Sequence, residues 1–123
     1  MRIGELARRT GVSERSLRYY EEQGLLTPER RASGYREYSE ADVATVRHIR
    51  TLLAAGLGTA TIAEVLPCTI ARDGQLATPC GELVDVLERE RERIDDALGE
   101  LRAARATLDA IISASAAPSG AAA

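Results

Sequence analysis

The sequence predicts a mainly α chain, built as a small helix-turn-helix head followed by one long helix. Three observations carry that expectation. Thr10-Gly11-Val12-Ser13-Glu14 reads as a tight turn between two short amphipathic helices. A segment rich in arginine and tyrosine around Gly34, residues 29–38, follows the second helix at the distance of a small hairpin. From Gly81 to Ile112 there is no proline, and leucine and isoleucine recur at steps of three and four or their sums.

The first helix is expected over about residues 4–10, with Leu6 and Ala7 inward. Gly11 suits the left-handed turn that follows, because it carries no Cβ. Ser13 is a good N-cap, and Glu14 places a negative charge where the helix dipole favours it. On the second helix, about 14–23, Leu17 and Tyr20 share an inward face while Arg15, Arg18 and Tyr19 share an outward one. A solvated charged face would look the same, so the pattern alone does not separate it from a groove-reading face. Gly24 then ends the helix and Pro28 keeps it from resuming. Residues 29–38 follow, with Gly34 between two short extendable segments and Arg30, Arg31, Tyr35 and Arg36 around it. A hairpin in that place is a wing, and its basic residues reach phosphates beside the groove that the helix enters. Tyr38 suits either DNA or the core.

Ser39-Glu40-Ala41-Asp42 resembles a capping box and starts a third helix running to about Ala55. Val43, Val46, Ile49, Leu52 and Leu53 form its expected buried side. Gly56 and Gly58 bracket a corner; no strand precedes them, so Gly-Leu-Gly is a helix end and not a nucleotide loop. A fourth helix covers about 59–66, with Ile62, Val65 and Leu66 inward, and Pro67 ends it. These elements make a head over residues 1–70, and residues 71–78 are expected as a linker. Thr78-Pro79 reads as the N-cap and first residue of a helix over 79–112. Its seam is Leu87, Ile94, Leu98, Leu101, Leu108 and Ile112, with Arg91 and Arg105 at two further seam positions. Those arginines weaken a uniform zipper and are placed to fix register by pairing with acids. No second long helix exists to cover the stripe, so a second copy of the chain is the expected cover. Residues 113–123, rich in alanine and serine, are expected to be disordered.

Ile3-Gly4-Glu5-Leu6-Ala7, Thr10-Gly11-Val12-Ser13, Leu17-Arg18-Tyr19-Tyr20-Glu21, Gly24-Leu25-Leu26, Pro28 and Gly34-Tyr35-Arg36-Glu37-Tyr38 together resemble the MerR family of bacterial transcription regulators in order and spacing. The likeness continues through Ala54-Ala55-Gly56-Leu57-Gly58 into the long helix, to about residue 112. It implies a winged helix-turn-helix DNA-binding domain followed by a long antiparallel coiled-coil dimerisation helix. It also implies a homodimer on double-stranded promoter DNA, which bends and untwists an overlong spacer and so reaches RNA polymerase indirectly. The expected DNA contacts are Arg15 and Ser16 near base edges, Arg18 and Tyr19 mainly at phosphates, and Tyr35 and Arg36 on the wing.

The net charge of -3 over 123 residues runs against this reading at first sight. The distribution resolves the conflict. Residues 1–50 hold ten arginines against eight carboxylates, whereas residues 73–123 hold five against ten. A local basic face is what DNA meets. So small an excess implies weak non-specific binding and reliance on two heads. The first twenty residues show no signal peptide, and no apolar run is long enough to span a bilayer, so a cytoplasmic protein without a membrane partner is expected. No nucleophile–base pair or phosphate loop is present, and one histidine leaves little for acid–base chemistry, so no enzyme is expected.

Cys68 and Cys80 are the only cysteines and the only clue to an effector, which the sequence does not name. Their first reading is as small apolar packing residues. The alternatives are a thiol redox switch, with Cys80 activated at a helix N-terminus, or a two-thiolate site for a linear soft monovalent ion. Ligands for a tetrahedral metal are lacking, so neither a metal site nor a resident cofactor is expected. The rival to a promoter regulator is a DNA-bending recombination accessory protein of the excisionase-like winged-helix type. Such a protein shares the head but lacks a dimerising helix of this length.

Overall fold

The computed structural model describes residues 1–116. In order, the elements are α1 (Ile3–Thr10), α2 (Glu14–Glu22), β1 (Glu29–Arg30), β2 (Arg36–Glu37), α3 (Glu40–Ala54), α4 (Thr59–Val65), a 3₁₀ turn at Leu66–Cys68, β3 (Ile70–Arg72), β4 (Gln75–Ala77) and α5 (Gly81–Ala116). The chain divides into two units, Met1–Val84 and the stretch from Asp85 onward.

In the first unit, Gly11 takes the left-handed conformation at φ 72° and its N–H donates to Ala7 O at 2.9 Å, closing α1. Ser13 Oγ accepts from Ser16 N at 3.1 Å and opens α2. Arg50 on α3 donates to Thr10 O at 3.1 Å, tying the turn to the third helix. α1 packs on α2 and on α3, and α3 packs on α4. Leu6, Leu17, Val46, Ile49 and Ile62 are wholly buried where these helices meet. Each large apolar side chain so buried contributes about 1.5–3 kcal/mol. The wing strands pair antiparallel, Glu29 with Glu37 and Arg30 with Arg36. Ser39 N donates to the Asp42 carboxylate at 2.8 Å, completing the capping box of α3.

Several expectations need correction. The linker at 71–78 is instead a β-hairpin, with Ile70 opposite Ala77 and Arg72 opposite Gln75. Asp73 and Gly74 both have positive φ, 51° and 76°, which is the two-residue turn that matches strand twist. The long helix begins at Gly81, not at Pro79, because Thr78 Oγ1 accepts from Cys80 N at 3.3 Å and holds the chain in a turn. Leu83, one turn in, is buried, and the first compact unit extends through the hairpin to Val84. Leu53 is exposed, since it lies about 100° beyond Leu52 on α3. Leu66 is half-buried in the 3₁₀ turn. At the far end α5 runs on to Ala116 through alanine, isoleucine and serine, so residues 113–116 are helical and not tail. Residues 117–123 of that expected tail lie outside the described residues.

In the second unit, α5 presents Ile94, Leu98, Leu101, Leu108 and Ile112 as exposed apolar side chains, with Leu101 67% and Ile112 65% exposed. Leu87 is half-buried. No described helix is long and apolar enough to cross a membrane.

Candidate nucleic-acid interface

Leu17 and Tyr20 are buried on α2, which turns Arg15, Arg18 and Tyr19 outward, all of them exposed. Arg18 sits 3.9 Å from Glu14, one turn earlier, in a solvent-exposed pair. Such pairs are worth little, so the guanidinium remains available to a phosphate. Among the described residues no carboxylate pairs with Arg15. Ser16 differs from its companions. It is half-buried, its N–H is bound to Ser13 Oγ, and its hydroxyl accepts from Ser13 Oγ at 3.0 Å. The Ser16 hydroxyl thus serves the start of its own helix.

The wing is braced against α2. Arg36 Nε donates to both oxygens of Glu21, at 2.7 and 2.9 Å, and Arg30 approaches the same carboxylate at 3.8 Å. Glu21 is 19% exposed and raises the Arg36 pKa above its ordinary value through this hydrogen bond. Arg31 stands 3.5 Å from Glu37. Glu37 is held below the usual carboxylate range, first by a hydrogen bond from the Met1 amine.

Residues 1–2, ahead of α1, bring in a side chain that sequence reading missed. Met1 N donates to Tyr38 O at 2.7 Å, and Tyr38 N donates back to Met1 O at 2.8 Å. This exchange lays Arg2 beside the wing, its guanidinium 3.6 Å from the centre of the Tyr35 ring. Arg2, Ile3, Arg18, Tyr35 and Arg36 line one open cleft between α2 and the wing. Three arginines line it, Glu21 engages Arg36 and Glu14 stands 3.9 Å from Arg18, so the cleft keeps a positive excess. Tyr38 points the other way. It is 2% exposed, burial raises its pKa, and its hydroxyl finds no partner among the described residues.

Cys68 and Cys80 are joined as a disulfide, with Cα atoms 6.4 Å apart, so they do not pack as separate thiols. No group of three or more His, Cys, Asp or Glu suited to a metal occurs among the described residues.

A recognition helix with outward arginine and tyrosine, a braced basic wing and a long second-unit helix define a winged helix-turn-helix transcription regulator. Residues 1–68 match the family described as MerR HTH family regulatory protein. The chain is 31% identical over 114 residues to the HTH-type transcriptional regulator HmrR of Rhizobium leguminosarum bv. viciae, covering 93% of this chain and 85% of that one. It therefore belongs to the MerR family. It is also 39% identical over 108 residues to nodulation protein NolA of Bradyrhizobium elkanii, covering 87% of this chain but only 42% of that longer protein. Among solved structures it resembles the transcription regulator PbrR691 from Ralstonia metallidurans CH34, described in complex with lead(II). The TM-score is 0.72 at 28% identity, with 92% of this chain and 86% of that one covered.

Proposed function

We propose that two copies of this chain clamp a bacterial promoter, each placing α2 in the major groove and its wing on the flanking backbone. Arg18, Tyr19, Tyr35 and Arg36 bind phosphates, with Arg2 added to them from the cleft. Arg15 reaches base edges, and Ser16 contributes through the start of the helix. The observation that carries this reading is the convergence of Arg2, Arg18 and Arg36 with Tyr35 on one cleft between recognition helix and wing. Three cations around an open cleft fit a phosphate and give α2 its register on the duplex.

The α5 seam supports a particular pairing. Arg91, Leu98, Arg105 and Ile112 form one column of the heptad, and Leu87, Ile94, Leu101 and Leu108 the other. A parallel, in-register pair would set Arg91 against Arg91 and Arg105 against Arg105. An antiparallel pair centred between Leu98 and Leu101 instead sets Arg91 beside Asp109 of the second copy and Arg105 beside its Asp95. Moving that centre by half a heptad in either direction brings Arg102 beside a seam arginine. Charge thus favours one orientation and one register.

On DNA the dimer bends and untwists the promoter spacer, and RNA polymerase responds to the altered duplex. Bending a short site costs about 1–6 kcal/mol, so a signal favouring one of two deformed states switches transcription. The protein works in the cytoplasm, as a regulator and not as an enzyme.

Gel-shift titration over a salt series, using a duplex from the chain's own upstream region, tests this. Arg18→Ala and Arg2→Ala should each weaken binding to all sequences and flatten the log-affinity against log-salt slope by about 0.9 per phosphate lost in each subunit. Unaltered slopes for both variants would remove the cleft from the interface.

A further inference from the structure

The two cysteines occupy a strategic place that the DNA-binding reading leaves unused. Cys68 ends the 3₁₀ turn after α4, and Cys80 immediately precedes α5. Residues 69–79 between them are the only covalent path from the wing and recognition helix to the long helix. That path is lightly built. Its β3–β4 hairpin has three rungs, β3 is exposed throughout, and Leu83 is the one buried residue of α5. Two-stranded hairpins of this size are marginal alone. The Cys68–Cys80 bond closes the base of this hairpin across a separation of 12 residues, and its Cα distance of 6.4 Å suits a disulfide without backbone movement. Both cysteines are half-buried and not sealed in the core.

We propose that Cys68 and Cys80 are a reversible oxidation site, whose reagent is a low-molecular-weight disulfide and whose closure locks the start of α5 to the end of α4. The inference rests on the cytoplasmic regulator reading, because disulfides in a reducing compartment are characteristically transient and redox-sensing. The Cys80 thiolate, just ahead of the 36-residue α5, attacks one sulfur of the reagent and expels a thiolate. The Cys68 thiolate then attacks Cys80 Sγ in the mixed disulfide and expels the second. Two protein thiols become one disulfide, the reagent is reduced to two thiols, and the two protein protons leave on them. The oxidised form has a stapled hairpin and a fixed first turn of α5; the reduced form holds that turn by Leu83 and three rungs.

The full-length chain, reduced and then treated with oxidised glutathione, tests this by intact mass, non-reducing electrophoresis and hydrogen exchange. A loss of two hydrogens per chain without cross-linked dimers is expected. Exchange of amides in residues 69–84 should slow at least about fivefold, and affinity for the upstream duplex should change by at least about fivefold, the low end of typical coupling between sites. Cys68→Ser should trap a persistent glutathione adduct on Cys80. Cys68→Ser/Cys80→Ser should bind DNA as the reduced chain does and ignore the reagent. Intermolecular cross-links, thiols that react only with hydroperoxide, unchanged exchange on oxidation, or a bond that reduced glutathione cannot open would each overturn the proposal. If no form binds the duplex, the regulator reading fails, while mass and exchange still judge the switch.

Discussion

Tyr38 and Arg2 illustrate how one backbone pairing decides two side chains. The exchange between Met1 and Tyr38 sends the Tyr38 ring into the core and lays Arg2 on Tyr35. From sequence, Tyr38 suited either side, because a tyrosine near a wing has both an apolar body and a polar tip. Its buried hydroxyl has no partner among the described residues, which costs free energy that phenylalanine would not. Tyr38→Phe should therefore leave promoter affinity unchanged and raise stability by up to about 1–3 kcal/mol, read as a higher urea midpoint at unchanged slope. A clear loss of DNA affinity would return Tyr38 to the interface. Arg2 was not legible beforehand, because position 2 has no helical spacing relation to Arg15 or Arg18. Arg36 was legible as a cation, but its brace from Glu21 joins two elements and appears only in three dimensions.

The elements differ in how far short-range chemistry specifies them. The turn at Gly11, the cap at Ser13 and the capping box at Ser39 are short-range chemistry, and the structure places α1, α2 and α3 close to where those signals put them. Asp73-Gly74 is also a strong short-range hairpin signal, but a polar stretch after Pro67 invites the description of a linker, and the hairpin was missed. α5 poses a different problem. Its stripe is visible in sequence, yet Arg91 and Arg105 interrupt it. If the arginines choose register through Asp95 and Asp109 of a second copy, then Arg91→Leu/Arg105→Leu should tighten the dimer more than tenfold, since each added buried leucine contributes about 1.5–3 kcal/mol. The same change should blur its orientation. Spin labels at Ser113 would report it: wild type should give one long distance, and the double variant a second, short one. A single long distance in both would remove the arginines from register control.

For the whole molecule, the basic excess in residues 1–50 is small and the region from residue 73 is acidic. One head alone has little electrostatic hold on DNA, so affinity depends on joining two. Leu101 is 67% exposed in the single chain and lies at the centre of the inferred seam. Leu101→Asp should give monomers in light scattering and lower promoter affinity by roughly a hundredfold or more, the size of gain that linking two sites provides. Within the full-length variant, amides of the head should keep their hydrogen-exchange protection, since Leu101 lies outside the Met1–Val84 unit. A stable dimer carrying the aspartate would show that the seam is elsewhere.

The helix-turn-helix, the wing, the long heptad helix and the MerR likeness were all legible in the residues alone, because caps, turn residues and hydrophobic period act between near neighbours. Tertiary structure decided the cleft that gathers Arg2 with Arg18, Tyr35 and Arg36, the inward course of Tyr38, and the joining of Cys68 to Cys80. Those pairings bring together groups separated along the chain, and only the packed backbone sets the distances across which guanidinium, ring and sulfur can meet.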